Sequence, residues 1–189
     1  MNQRQLAIVS VAIVAIIAIA AIVAYAWWPS HRLQTASQPL AAGKAQVGQP
    51  APDFVVSTTA GLFDLAKTDK PVFLEVFATW CPHCQRETAV VDRLYQKYKS
   101  EVNFVAVSGS DTAIDGTSPA SQLDVLNWEQ RFNAQYPVAY DATLGVAGSY
   151  LQGGFPTIVI IGKDKSIAYV NSGEVSYYDL AAAIQKTLR

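Results

Sequence analysis

Cysteine and histidine are scarce: the 189 residues hold 2 of each. Two cysteines are too few for a disulfide-stapled scaffold or for a four-thiolate metal site. Charge is scarce as well. Charged residues make up 15%, and 14 Lys+Arg against 15 Asp+Glu leave a net charge of −1. Neutralising nucleic-acid phosphates needs clustered Lys/Arg, and no basic stripe exists, so no nucleic-acid partner is expected. Gly 11 and Pro 9 are ordinary, and 51% hydrophobic residues exclude collagen-like, mucin-like and disordered chains. No internal repeat is visible. The informative features are the uneven placement of the apolar residues and the spacing of the cysteines.

Leu6 to Trp28 is 23 residues without a charge. A helix of that length reaches about 34 Å and spans a hydrocarbon core of about 30 Å. Trp27 and Trp28 close the run, where amphipathic aromatics favour the headgroup region, and Pro29 stops the helix. Residues 1–28 read as a single-pass transmembrane anchor. The alternative is a secretory signal, with Ala24-Tyr25-Ala26 as a small-x-small cleavage site, although the run exceeds the roughly 7–15 residues of a signal core. Either reading exports the rest of the chain. Residues 29–46, rich in Ala, Ser, Gln and Pro and without periodicity, read as a flexible linker of about 60 Å at full extension.

Residues 47–189 have the size of one domain. Asp53–Ser57 and Leu62–Leu65 read as short strands around a turn. Val72–Phe77 is a strongly apolar run, with Glu75 inside it, suited to a central strand covered on both faces. Pro82 to about Lys99 has helical spacing, with Val90, Val91, Leu94, Tyr95 and Tyr98 on the apolar side. Val102–Val107 is again a buried-strand pattern, which completes a parallel strand–helix–strand unit. After a polar loop from Gly109 to Ser118, a helix is expected over Pro119–Phe132 with Leu123, Leu126 and Phe132 inward. Tyr136–Tyr140 reads as a strand and Leu144–Tyr150 as a short helix. Thr157–Ile161 and Ile167–Asn171 flank a hairpin turn. Tyr178–Leu188 reads as a last amphipathic helix carrying Leu180, Ile184 and Leu188. The fold class is α/β: a central mixed sheet with helices on both faces.

Trp80-Cys81-Pro82-His83-Cys84 stands where the central strand hands over to a helix. Residues i and i+3 share a helix face, at a separation suited to a disulfide. Cys81 falls near the N-cap, where unpaired N–H groups and the positive end of the dipole favour a thiolate. Pro82 fits the first turn, where its missing N–H costs nothing. Cys84 is more shielded. Cys81 is therefore the first sulfur to react, and Cys84 resolves the mixed disulfide. His83, as imidazolium or as a donor to sulfur, would stabilise the thiolate and make the oxidised pair a stronger oxidant; alternatively it is a solvent-exposed bystander. Haem attachment needs His directly after the second cysteine, and Gln85 stands there. Zinc needs four ligands, and a structural disulfide would close only a tiny loop. No metal and no cofactor are expected.

Three blocks carry a resemblance: Val47-Gly48-Gln49-Pro50-Ala51-Pro52-Asp53-Phe54, then Phe77 to Glu87, then Gly154-Phe155-Pro156-Thr157. Over residues 47–189 the chain resembles thioredoxin-fold proteins, most closely the membrane-anchored TlpA/ResA/DsbE-type thiol–disulfide oxidoreductases. Peroxiredoxins share the first block but carry Pro and Thr at positions held here by Leu74 and Ala78. The resemblance implies a thioredoxin-like sandwich in which Cys81 and Cys84 form the redox disulfide. It implies that Pro156 is cis and holds the Phe155 backbone open to a substrate strand. It places an acid, Glu75, on the buried strand under the site. Desolvation would raise its pKa and fit it to take the proton of Cys84; alternatively Glu75 pairs with a Lys at the rim. Glu87 matches an acid that related proteins use near the site, or else is a helix-surface charge. Trp80 matches a tryptophan beside the reactive sulfur. Trp128, Tyr136, Tyr177 and Tyr178 have no match and read as core or rim aromatics.

The expected activity is exchange of electrons with cysteine pairs of exported proteins, outside the cytoplasmic membrane. The leading version is a reductase in a role like cytochrome c maturation, recharged by a membrane thiol electron-transfer partner. The alternatives are a DsbA-like disulfide donor, since DsbA-type oxidases share Cys-Pro-His-Cys, and a non-enzymatic copper metallochaperone on the same fold.

Overall fold

The computed structural model describes residues 45–189. The expected transmembrane anchor of residues 1–28 and nearly all of the linker lie outside the described residues. Among the described residues no helix is long and apolar enough to cross a membrane.

The elements follow in the order β1 (Val55–Thr58), β2 (Gly61–Asp64), a 3-10 turn (Leu65–Lys67), β3 (Val72–Phe77), α1 (Pro82–Tyr98), β4 (Asn103–Ser108), α2 (Gln122–Phe132), β5 (Val138–Tyr140), α3 (Gly145–Tyr150), β6 (Thr157–Ile161), β7 (Ile167–Ser172) and α4 (Tyr177–Thr187). The strands form one sheet in the order β2-β1-β5-β4-β3-β6-β7. β3 runs parallel to β4 and antiparallel to β6. The parallel pair requires a crossover, and α1 supplies it.

All six residues of β3 are buried, Glu75 among them, as its strongly apolar run leads one to expect. Successive side chains point to opposite faces. Phe73 and Phe77 join a core with Leu94, Trp128, Leu180 and Ile184, under α1, α2 and α4. Val72, Leu74 and Val76 join the other core with Val105, Val107 and Tyr150, under α3. Glu75 shares the parity of Phe73 and Phe77, so its carboxyl enters the α1 side. The mixed sheet with helices on both faces is the expected architecture.

α1 keeps the expected face, and α2 differs from the sequence reading in which side it buries. α1 buries Cys84, Glu87, Thr88, Val91, Leu94 and Tyr98, while Val90 and Tyr95 pack at the margin. α2 buries Asp124, Val125 and Trp128, whereas Leu123, expected inward, is 64% exposed. Two contacts turn the helix. Trp128 packs on Phe77 with ring centroids 4.4 Å apart. Asp124 accepts hydrogen bonds from the Thr79 hydroxyl at 2.6 Å and the Ile114 N–H at 3.0 Å. Apolar spacing alone could not reveal that an acid is the inward residue.

Candidate active site

β3 ends at Phe77, and four residues later the chain enters α1. Cys81 is the N-cap, with extended backbone angles and no side-chain cap bond, and Pro82 opens the helix. The Cys81 N–H bonds to the Ala78 carbonyl at 3.1 Å, and the Cys81 carbonyl accepts from Gln85 N–H at 3.1 Å. These bonds fix the turn that carries the sulfur. Thr79, fully buried, braces it twice: its hydroxyl reaches Asp124, and its carbonyl accepts from the Gln85 amide at 3.0 Å.

Both cysteines are free thiols. Cys81 retains 4% exposure and Cys84 none. The Cys81 thiol donates to the Phe155 carbonyl at 3.6 Å. Phe155–Pro156 is a cis peptide bond. Trp80, 39% exposed, stands edge-on to the Phe155 ring at 5.9 Å and donates from Nε1 to the Ser110 hydroxyl at 2.9 Å. Strand end, helix start and the loop before β6 thus meet at one sulfur.

Beneath the sulfurs lie acids. Glu75 is fully buried. Burial pushes its pKa up to about 8, the Glu87 charge adds to the rise, and a hydrogen bond from Tyr136 opposes it. That bond is long, 3.5 Å from the Tyr136 hydroxyl to Glu75 Oε2, and Oε1 has no hydrogen-bond partner among the described residues. Tyr136, which the sequence offered only as a core or rim aromatic, therefore belongs to the site. Its own pKa is raised by burial and by Glu75. The Cys84 thiol is pushed well up, first by burial and then by the Glu75 charge. Glu87 is 2% exposed rather than a helix-surface charge. Burial pushes it up to about 7, against the pull of the Val175 N–H, which lies 3.3 and 3.4 Å from its two oxygens.

His83 departs from one expectation. Its ring does not donate to a sulfur; Nδ1 lies 2.5 Å from Glu174 Oε1 and 2.8 Å from Arg86 Nη2. A protonated Nδ1 donates to the carboxylate, and a bare one accepts from Arg86. Arg86 also binds Glu174 directly, Nε lying 3.1 and 3.3 Å from its two oxygens and Nη2 closing on Oε1. Glu174 carried no signal in the sequence, since 91 positions separate it from His83. Asp124 was not singled out in the sequence either, although Ser121 caps α2 through the Asp124 backbone. The cap bond from Asp124 N–H to Ser121 Oγ is 3.1 Å long, but the carboxylate works elsewhere.

The arrangement suits thiol–disulfide exchange, with an outer sulfur at a helix start and a covered sulfur one turn on. Comparison with known proteins points the same way. The Redoxin family profile matches residues 46–184. The thiol-disulfide oxidoreductase ResA of Bacillus cereus (strain ZK / E33L) is 32% identical over 148 residues, which is 76% of this chain and 79% of that protein. ResA of Geobacillus kaustophilus (strain HTA426) is 30% identical over 139 residues, covering 71% and 74%. Among solved structures, a candidate DsbE thiol:disulfide interchange protein from Chlorobium tepidum superposes with a TM-score of 0.64 at 24% identity, over 77% of this chain and 100% of that one. StoA from Bacillus subtilis gives 0.58 at 17% identity, over 70% and 96%. At these identities the structures speak for the fold, which is thioredoxin-like.

Proposed function

Since this chain belongs to the Redoxin family, as a TlpA/ResA/DsbE-type thioredoxin-like thiol–disulfide oxidoreductase, we propose that it works as a membrane-tethered reductase outside the cytoplasmic membrane. Its clients are disulfides of exported proteins, in a role like cytochrome c maturation, and a membrane thiol partner restores its electrons. The observation that carries this reading is the Cys81 thiol held at the start of α1 on the Phe155 carbonyl, with covered Cys84 behind it.

The chemistry follows from that placement. The Cys81 thiolate attacks one sulfur of the client disulfide. A Cys81–client bond forms, the client S–S bond breaks, and the second client sulfur leaves as a thiolate and takes a proton. Cys84 then attacks the Cys81 sulfur. The Cys81–Cys84 bond forms and the client departs with both sulfurs reduced, two electrons having moved. The Cys84 proton must leave as it attacks, and Glu75 is placed to accept it. An acid pushed up to about 8 exchanges protons near neutral pH. Glu87, pushed up to about 7, stands on the same face of the sheet. The client strand would lie beside Phe155 and cis-Pro156 and pair with their backbone, with Trp80 at its edge.

The electrostatics favour electron donation. A thiol–disulfide pair is a strong oxidant when its reduced, thiolate form is stabilised. Here burial and Glu75 oppose charge on Cys84, and the His83 ring is engaged by Glu174. The deciding experiment is the reduction potential against glutathione. A value toward the thioredoxin end, about −270 mV, is expected; a value toward the DsbA end, about −120 mV, would assign a disulfide donor instead. Export is tested by labelling intact cells with a membrane-impermeant maleimide after reduction. Cys81 should be labelled without lysis, and labelling only after lysis would remove the extracytoplasmic placement.

A further inference from the structure

The loop between β7 and α4 touches the active site at each residue from Gly173 to Val175. The Gly173 N–H donates to the Pro156 carbonyl at 2.8 Å, with a φ of +91 that favours glycine. The Val175 N–H faces the Glu87 carboxylate at 3.3 and 3.4 Å. Ser176 caps α4 by accepting from Asp179 N–H at 3.2 Å. Glu174 stands between these anchored neighbours, so its backbone is fixed before its side chain makes any contact. That side chain gathers both basic groups near the start of α1, His83 and Arg86.

We infer that Glu174 is a positioning residue that sets the potential of the cysteine pair by clamping Arg86 and His83 in one carboxylate. Arg86 follows the N-cap Cys81 by five positions at the start of α1; the Glu174 hydrogen bond is the first cause of its raised pKa, and the Cys81 charge adds least. A free guanidinium and imidazole beside Cys81 would stabilise its thiolate, hence the reduced protein, and would make the disulfide more oxidising. The carboxylate cancels that field. The Cys-Pro-His-Cys motif thereby loses the oxidising bias that its histidine would confer.

The groups are partly solvated, with side-chain exposures of 60% for His83, 55% for Arg86 and 38% for Glu174. Water and salt therefore screen the effect. For the same reason the clamp adds little to folding stability, so a change in potential is separable from a change in fold.

The inference rests on the reading of Cys81 and Cys84 as the redox pair, and it is tested by a difference between potentials rather than by an absolute value. The full-length chain, kept in mild detergent, is equilibrated with glutathione as wild type, Glu174→Gln and Glu174→Asp. Glu174→Gln should shift the exchange equilibrium three- to tenfold toward the reduced protein, a rise of about 15–30 mV at 29.6 mV per decade. Glu174→Asp, which keeps the charge, should stay within twofold of wild type. In a background already carrying His83→Gln and Arg86→Gln, Glu174→Gln should lose most of its effect. A Glu174→Gln shift under twofold or of opposite sign, or an undiminished shift in the double background, would overturn the clamp. A strongly oxidising wild-type potential with the predicted difference intact would sink the reductase reading alone.

Discussion

The Thr79 hydroxyl donates to Asp124 Oδ2 at 2.6 Å, joining two buried residues 45 positions apart. The bond ties α2 to the turn that carries Trp80 and Cys81. The same carboxylate receives the Ile114 N–H, so one side chain fastens both the loop after β4 and the approach to α1. Asp124→Ala leaves a buried hydroxyl and a part-buried N–H without their acceptor. It should cost about 1–3 kcal/mol in urea unfolding and slow client reduction, because the cysteine turn loses its brace. Unchanged stability and rate would mean that the turn is held by its backbone bonds alone.

The two sulfurs should separate cleanly by substitution. Cys81→Ser should reduce insulin no faster than the buffer does, because no outer nucleophile remains. Cys84→Ser should accumulate a mixed disulfide between Cys81 and the client, visible on a non-reducing gel, because nothing resolves it. Trapping by the Cys81→Ser protein instead would reverse the assigned order.

Glu75 should make stability depend on pH. Its folded-state pKa, about 8, is above the ordinary 4.5, so folded protein holds a proton that unfolded chain releases. This contribution is intact below about pH 4.5 and declines as pH rises through about 8. Urea unfolding at pH 5.5 and 8.5 should therefore show a loss for wild type, on the order of a few kcal/mol. Glu75→Gln should flatten that dependence and slow the resolving step. Parallel pH profiles for the two proteins would place Glu75 outside the buried proton network.

The helix face corrected above gives a stability contrast. Trp128, fully buried on Phe77, should cost about 3–5 kcal/mol when replaced by Ala. Leu123→Ser, at an exposed position, should stay within about 0.5 kcal/mol of wild type. Thermal melts of the two variants decide it; a large loss for Leu123→Ser would restore the face that apolar spacing suggested.

What the sequence revealed depended on how local the signal was. β3 and β6 were legible because every residue of each is covered, so nearly every position is apolar. The cysteine turn was legible because Pro82 and the two sulfurs follow one another in a few residues. Glu75 was legible as a buried acid through the resemblance, which places one on the strand under the site. The inward face of α2 was not, because the reason Asp124 turns in is Thr79, in a different element. Tyr136 and Glu174 were invisible as site residues for the same reason: each meets its partner across the fold, at separations of 61 and 91 positions, with no pattern along the chain to announce it.

The central claim is that one sulfur is presented at the helix start and its partner is kept behind it. Timed iodoacetamide labelling of the reduced native protein, followed by peptide mass spectrometry, tests it most directly. Cys81 should be alkylated rapidly at neutral pH while Cys84 stays unmodified until denaturant is added. Equal rates for both, prior labelling of Cys84, or a Cys81 that reacts only after unfolding would contradict it.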